Sequence, residues 1–135
     1  MSDQSPKPHI VIACGGTGGH LFPGIAIGQQ LLRRNCEVTL IVSEKEIDQH
    51  ALQDSWGMEI VRLPAVGLSG KNYLGFALAF AKSFFATKKI FKVKPPQAVL
   101  AMGGFTAAPP IFAGKLAGVP TFLHESNAKI GRAHV

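Results

Sequence analysis

Seven consecutive residues, Cys14-Gly15-Gly16-Thr17-Gly18-Gly19-His20, gather four glycines, a hydroxyl and an imidazole. Glycines let the main chain approach a bound group with no Cβ in the way. Free N–H groups at the start of a following helix, at the positive end of its dipole, suit a phosphate or pyrophosphate. A tight turn needing positive φ is the plainer use, although one or two glycines would suffice for it. His20, at the mouth of that helix, is held toward the neutral imidazole by the dipole, as acceptor, proton carrier or hydrogen-bond partner; capping its own turn is the alternative.

Two further segments have comparable chemistry. Ala101-Met102-Gly103-Gly104-Phe105-Thr106-Ala107-Ala108-Pro109 repeats the glycine pair, which serves either a ligand or close helix–strand packing. His124-Glu125-Ser126-Asn127 supplies a carboxylate and an amide that fix hydroxyls, or that serve turn and cap chemistry.

Several familiar chemistries fail on spacing. A dinucleotide fingerprint counted from Gly16 and Gly18 needs a third glycine where Leu21 stands, and Glu44 lies 28 residues beyond Gly16, against the roughly 20 of a ribose-binding acid. No glycine precedes a Lys-Ser or Lys-Thr pair, so nucleotide hydrolysis of the P-loop kind has no support. Cys14 and Cys36 are the only cysteines and lack metal-ligand spacing; no disulfide framework, metal site or cofactor is expected, and a reducing compartment fits.

These segments need elements to hold them. His9 to Ala13 reads as a buried strand that stops at glycines, followed by a helix with Leu21, Ile25, Gly28 and Leu32 on one face. Val38 to Val42 repeats the strand signal. Ser43 to Glu46 has capping-box spacing for a helix that Gly57 closes, and Met58 to Leu63 is a third strand. A glycine-containing loop over 64–72 leads to a long helix from Tyr73 to Lys92, ended by Pro95-Pro96. A strand at Ala98 to Met102, a helix from Thr106 to Ala117 and a strand at Thr121 to Leu123 complete the alternation. This pattern implies an α/β fold, a Rossmann-like doubly wound parallel sheet in order 3-2-1-4-5, with both glycine loops flanking the topological switch point. A chain of 135 residues makes one domain, 1–135, and excludes a two-domain enzyme.

Fourteen Lys and Arg against eight Asp and Glu give +6 and point to an anionic partner. The first nine residues lack a signal peptide's apolar run, and no uncharged apolar stretch of 18 residues follows, so a cytoplasmic protein with no bilayer span is expected. In the long helix, Leu74, Leu78 and Phe85 form one stripe, and Tyr73, Phe76, Phe80, Phe84 and Phe91 another. One stripe covers the sheet; the other, with Lys82, Lys88 and Lys89 around it, has the makeup of a surface resting on anionic lipid, and Phe76, Phe80 and Phe84 are its expected aromatics. A helix buried on both stripes is the alternative. No RNP-like strand supports nucleic-acid binding.

At GGTGGHLFPG, GGF…AP and LHESNAKIGRA the sequence resembles the MurG family of bacterial transferases, from the first strand to the last residue. The resemblance implies the amino-terminal, acceptor- and membrane-binding half of a GT-B glycosyltransferase, its carboxyl-terminal donor domain absent here. The implied partners are UDP-N-acetylglucosamine, undecaprenyl-linked lipid I and the anionic inner-membrane surface, at the cytoplasmic face of the bacterial plasma membrane. It implies a role in donor or acceptor phosphate binding for Gly16, Thr17, Gly18, Gly19, Gly103, Gly104, Phe105 and Asn127, and a place at the reaction centre for His20, with Glu125 as the other candidate base. Phe105 stands where the family usually has Tyr, and Ala107-Ala108-Pro109 where it has Ser-Gly-Pro, which removes hydroxyls from that loop. Three functions remain open: a fragment of the transferase, an acceptor-binding, membrane-docking subunit of a split transferase, or a nicotinamide-type Rossmann module.

Overall fold

A computed structural model describes residues 7–14, 18–43, 57–63, 73–103 and 107–124, with residues 18–20 described by their main chain alone. The elements are β1 (His9–Ala13), α1 (Gly18–Arg33), β2 (Glu37–Ser43), β3 (Glu59–Leu63), α2 (Tyr73–Val93), β4 (Ala98–Ala101), α3 (Ala108–Leu116) and β5 (Thr121–Leu123). All five strands are parallel, in the expected order β3-β2-β1-β4-β5. The helix expected after Ser43 and the loop over 64–72 lie outside the described residues.

Strand alternation divides the core in two. Val11, Ala13, Ile41, Val99 and Ala101 face α2 and α3, packing with Phe91 and Ala113. Ile12, Leu40, Val42 and Met102 face α1, packing with Leu21 and Ile25. The strands are therefore apolar on both sides, as a sheet covered by helices on both faces requires.

Boundaries differ from the expectations by a residue or two, for local reasons. β2 runs one residue further at each end because Glu37 pairs with His9 and Ser43 with Leu63. Met58 is not in β3; it follows Gly57, at φ 88°, and packs against Gly28 of α1. The end of α1 is a Schellman turn: Asn35 takes φ 67°, with Asn35 N–H donating to the Leu32 carbonyl and Cys36 N–H to the Leu31 carbonyl, each at 3.0 Å. α3 starts with prolines in its first turn, where a missing N–H costs nothing, and ends before Gly118 at φ 75°.

Candidate functional site

In a doubly wound sheet ligands bind beyond the carboxyl ends of the strands, where the order reverses. Here the reversal falls between β1 and β4, which are neighbours with Ala13 opposite Ala101. Main-chain bonds carry the ladder past the strand ends: Cys14 N–H donates to the Ile41 carbonyl, Met102 N–H to the Ala13 carbonyl and His124 N–H to the Ala101 carbonyl, each at 2.8 Å. The three motif segments therefore leave one sheet edge from adjacent strands, β1, β4 and β5. Sequence separation hides this; parallel register creates it.

α1 begins at Gly18, so Gly18, Gly19 and His20 form its first turn. The first four N–H groups of a helix lack intrahelical acceptors, and together with the dipole they make this end attractive to anions. Pro23 lies inside α1 and has no N–H for the carbonyl one turn back, that of Gly19. Gly103, buried, has φ 110°, a conformation that favours glycine at the mouth of β4. Gly16, Thr17, Gly104, Phe105, Glu125 and Asn127 lie outside the described residues, and the His20 imidazole is not described.

The Cys14 thiol, at the end of β1, is not a nucleophile. It is 1% exposed, and burial pushes its pKa up to about 12. Among the described residues no group of three or more His, Cys, Asp and Glu is arranged to hold a metal ion.

In the long helix α2 the stripe expected to cover the sheet, Leu74, Leu78 and Phe85, is instead the exposed one, and the aromatic stripe expected at lipid turns partly inward because α3 packs beside it. Phe91 is buried and Phe84 packs half-buried against the core, whereas Leu74, Leu78 and Phe85 are 72%, 63% and 64% exposed. Of the aromatics expected at a lipid surface, Phe84 thus belongs partly to the interior. Phe76 and Phe80 are half-buried with ring centroids 6.2 Å apart, and Phe80 meets Phe112 of α3 edge-on at 5.7 Å. Between α2 and α3 lies a groove of about 440 Å³ lined, among the described residues, by Phe80, Ala81, Phe84, Phe85, Phe112 and Leu116. Phe112 and Leu116, the contribution of α3, were missed in the sequence; their signal was the i, i+4 spacing of two apolar residues on a short helix. Lys82, Lys88 and Lys89 are exposed, and Lys88 Nζ stands 5.7 Å over the Phe84 ring. No helix among the described residues is long and apolar enough to cross a membrane.

A second cavity, about 460 Å³, is larger but lies away from the motif-bearing edge, between α2 and strands β1 to β3. It is lined by His9 and Thr39, whose Nε2 and Oγ1 are 2.7 Å apart. Burial pushes the His9 pKa below its usual range, with Lys94 acting the same way, while Glu37 and the Pro95 and Lys94 main chain oppose the shift. Topology and motif, not volume, single out the strand ends as the candidate site.

Known proteins match most of the chain. The model of the glycosyltransferase family 28 N-terminal domain matches residues 10–135. A UDP-N-acetylglucosamine--N-acetylmuramyl-(pentapeptide) pyrophosphoryl-undecaprenol N-acetylglucosamine transferase of Bradyrhizobium diazoefficiens is 39% identical over 133 residues, covering 95% of this chain and 35% of that protein. The crystal structure of Acinetobacter baumannii MurG superposes with a TM-score of 0.76 at 29% identity, over 91% of this chain and 36% of that one. Phytolacca americana UGT2, complexed with UDP-2fluoro-glucose and pterostilbene, shares the fold at 18% identity and a TM-score of 0.63. The chain thus spans 35% of the length of the transferase first compared.

Proposed function

This chain belongs to the glycosyltransferase family 28 N-terminal domain family, and from that premise we propose that it is the acceptor- and membrane-binding part of a transferase that moves N-acetylglucosamine from UDP-N-acetylglucosamine to undecaprenyl-pyrophosphoryl-N-acetylmuramoyl-pentapeptide. The supporting observation is the convergence of three motif segments on one sheet edge, at the ends of β1, β4 and β5. There the helix start at Gly18 offers N–H groups to a diphosphate. The excluded dinucleotide spacing weighs against the nicotinamide reading.

In the proposed reaction a base takes the proton of the muramoyl 4-hydroxyl, whose oxygen bonds to the anomeric carbon as the bond from that carbon to UDP breaks, with inversion. UDP leaves with the electron pair of the broken bond, its charge favoured near helix N-termini. His20 and Glu125 are the candidate bases, and Gly16, Thr17, Gly18, Gly19, Gly103, Gly104, Phe105 and Asn127 the candidate binding residues. The groove between α2 and α3, with its lysine rim, is the proposed seat on the anionic cytoplasmic face of the plasma membrane.

Transfer is expected only when the part of the relatives that this chain does not span is supplied with it. The test is incorporation of labelled N-acetylglucosamine into lipid-linked acceptor by the purified 135-residue chain, alone and with a donor-binding domain. Turnover by the chain alone would overturn the division of labour; none in either case would overturn the activity. A subunit of a split transferase and a fragment of a single-chain one give the same result in this assay, and both retain the proposed role of this domain.

A further inference from the structure

The structure assigns Gly24 as a positioning residue for the crevice: lacking a side chain, it seats the start of α1 against Cys14 and Met102, the residues from which both glycine segments depart. This rests on the reading of the crevice as a diphosphate site. A Cβ on Gly24 would stand 2.5 Å from Cys14 Sγ, 3.4 Å from Met102 Cγ and 3.4 Å from Ile12 Cγ2. Side chains of ordinary residues do not approach as closely as the first of these.

The neighbours have little room to yield. Cys14 and Met102 are each 1% exposed, and each is tied by its main-chain N–H to the strand beside it. The Cys14 sulfur is one bond beyond Cβ, so it cannot swing aside as a long side chain does. A side chain at position 24 therefore pushes on α1 itself, and the first turn, Gly18 to His20, moves with it.

Gly28 provides the contrast one turn later. A Cβ there would meet Met58 Sδ at 2.6 Å and Cε at 2.7 Å, the flexible end of a long side chain that can repack. The failed dinucleotide fingerprint also acquires an explanation. The position of its third glycine is occupied by Leu21, 8% exposed in the core under α1, and the close approach of helix to sheet occurs one turn further along, at Gly24.

The test compares amide signals of Gly18, Gly19, His20 and Gly103 in the isotope-labelled chain, together with binding of inorganic pyrophosphate. Gly24→Ala is expected to move those signals and to weaken pyrophosphate at least tenfold, whereas Gly28→Ala leaves both unchanged. The double variant Cys14→Ala/Gly24→Ala, which removes the obstructing sulfur, is expected to restore both. Unmoved signals in Gly24→Ala overturn the assignment. Should that variant not fold, the double variant decides, displaced signals in it counting against the assignment and wild-type positions for it. A wild-type chain that does not bind pyrophosphate would instead refute the diphosphate reading, while the ligand-free amide comparison still judges Gly24.

Discussion

Replacing Phe85 with alanine tests the proposed membrane face at an exposed aromatic that lines the apolar groove. Phe85 is 64% exposed and stacks edge-on against Phe84 at 5.5 Å. A phenylalanine presents roughly 200 Å², so about 130 Å² of it is open, and at about 25 cal/mol/Å² its complete transfer to lipid is worth about 3 kcal/mol. Insertion to half depth gives about 1.5 kcal/mol, close to a tenfold change in partitioning. The assay is sedimentation with vesicles rich in anionic phosphatidylglycerol. Phe85→Ala should lower the partition coefficient about tenfold, with Leu116→Ala, at a residue 73% exposed on the same groove, falling by a similar factor. Phe122→Ala is the control: it is 57% exposed but lies on β5 beside Leu100, whose packing is with the α1 side of the sheet. Equal losses from Phe85→Ala and Phe122→Ala would show general stickiness and refute the argument from the groove. Binding should also fall with salt, since the Debye length shrinks from about 10 Å at 0.1 M to about 3 Å at 1 M.

Two other outcomes follow from buried groups. His9 has a folded pKa below its ordinary 6.5, so as pH falls through 6.5 the unfolded chain takes up a proton that the folded chain does not, and stability is lost until the folded pKa is passed. Thermal unfolding between pH 8 and pH 5 should show this acid loss, and His9→Gln should flatten it; an equal slope in both proteins would remove His9 as its cause. Alkylation with iodoacetamide at pH 8 in native buffer should modify Cys36, which is partly exposed, and spare Cys14, buried with a pKa of about 12. Comparable rates at the two sulfurs in a peptide map would contradict the burial of the loop base.

Much of the scaffold was readable because its signals are local. The strands are short, mainly apolar runs, and β1, β3 and β4 end within two residues of a glycine or proline, the punctuation that a buried parallel strand shows. Their order followed from the alternation of strand and helix together with the known handedness of crossovers. The candidate crevice was legible in part: motif spacing placed glycine segments after β1 and β4, but the bonds that hold the two segments side by side join residues far apart in sequence. The stripes of α2 were not resolved by periodicity. Burial there depends on α3, where Phe112 meets Phe80, and no pattern within α2 contains that information. The close contact of Gly24 with Cys14 was equally invisible, since a glycine in a helical pattern carries no mark of what it lies against.

Net charge is where sequence and structure combine furthest. The chain has no acidic residue between Glu59 and Glu125, yet Arg62, Lys71, Lys82, Lys88, Lys89, Lys92, Lys94 and Lys115 fall in that interval, eight of its fourteen cations. The elements built from the interval are α2, β4, α3 and β5, so the helices lining the apolar groove contain lysines and no carboxylates. Lys94 is paired with Glu37 at 3.1 Å and contributes least to the outward field. The remaining acids lie earlier or later in the chain and include Glu37 and Glu59, at the starts of β2 and β3. An excess of positive charge on one pair of helices orients a protein before an anionic surface. An anionic plane would draw the α2–α3 face toward itself before any apolar side chain touched it. Each lysine near such a surface adds about 1 kcal/mol, so replacing Lys82, Lys88 and Lys115 together by glutamine should weaken vesicle binding more than the loss of Phe85. It should also reduce the salt dependence while leaving the melting temperature within a few degrees, because exposed charges contribute little to folding. Salt dependence left unchanged by this replacement would place the membrane-facing charge elsewhere and with it the orientation of the whole domain.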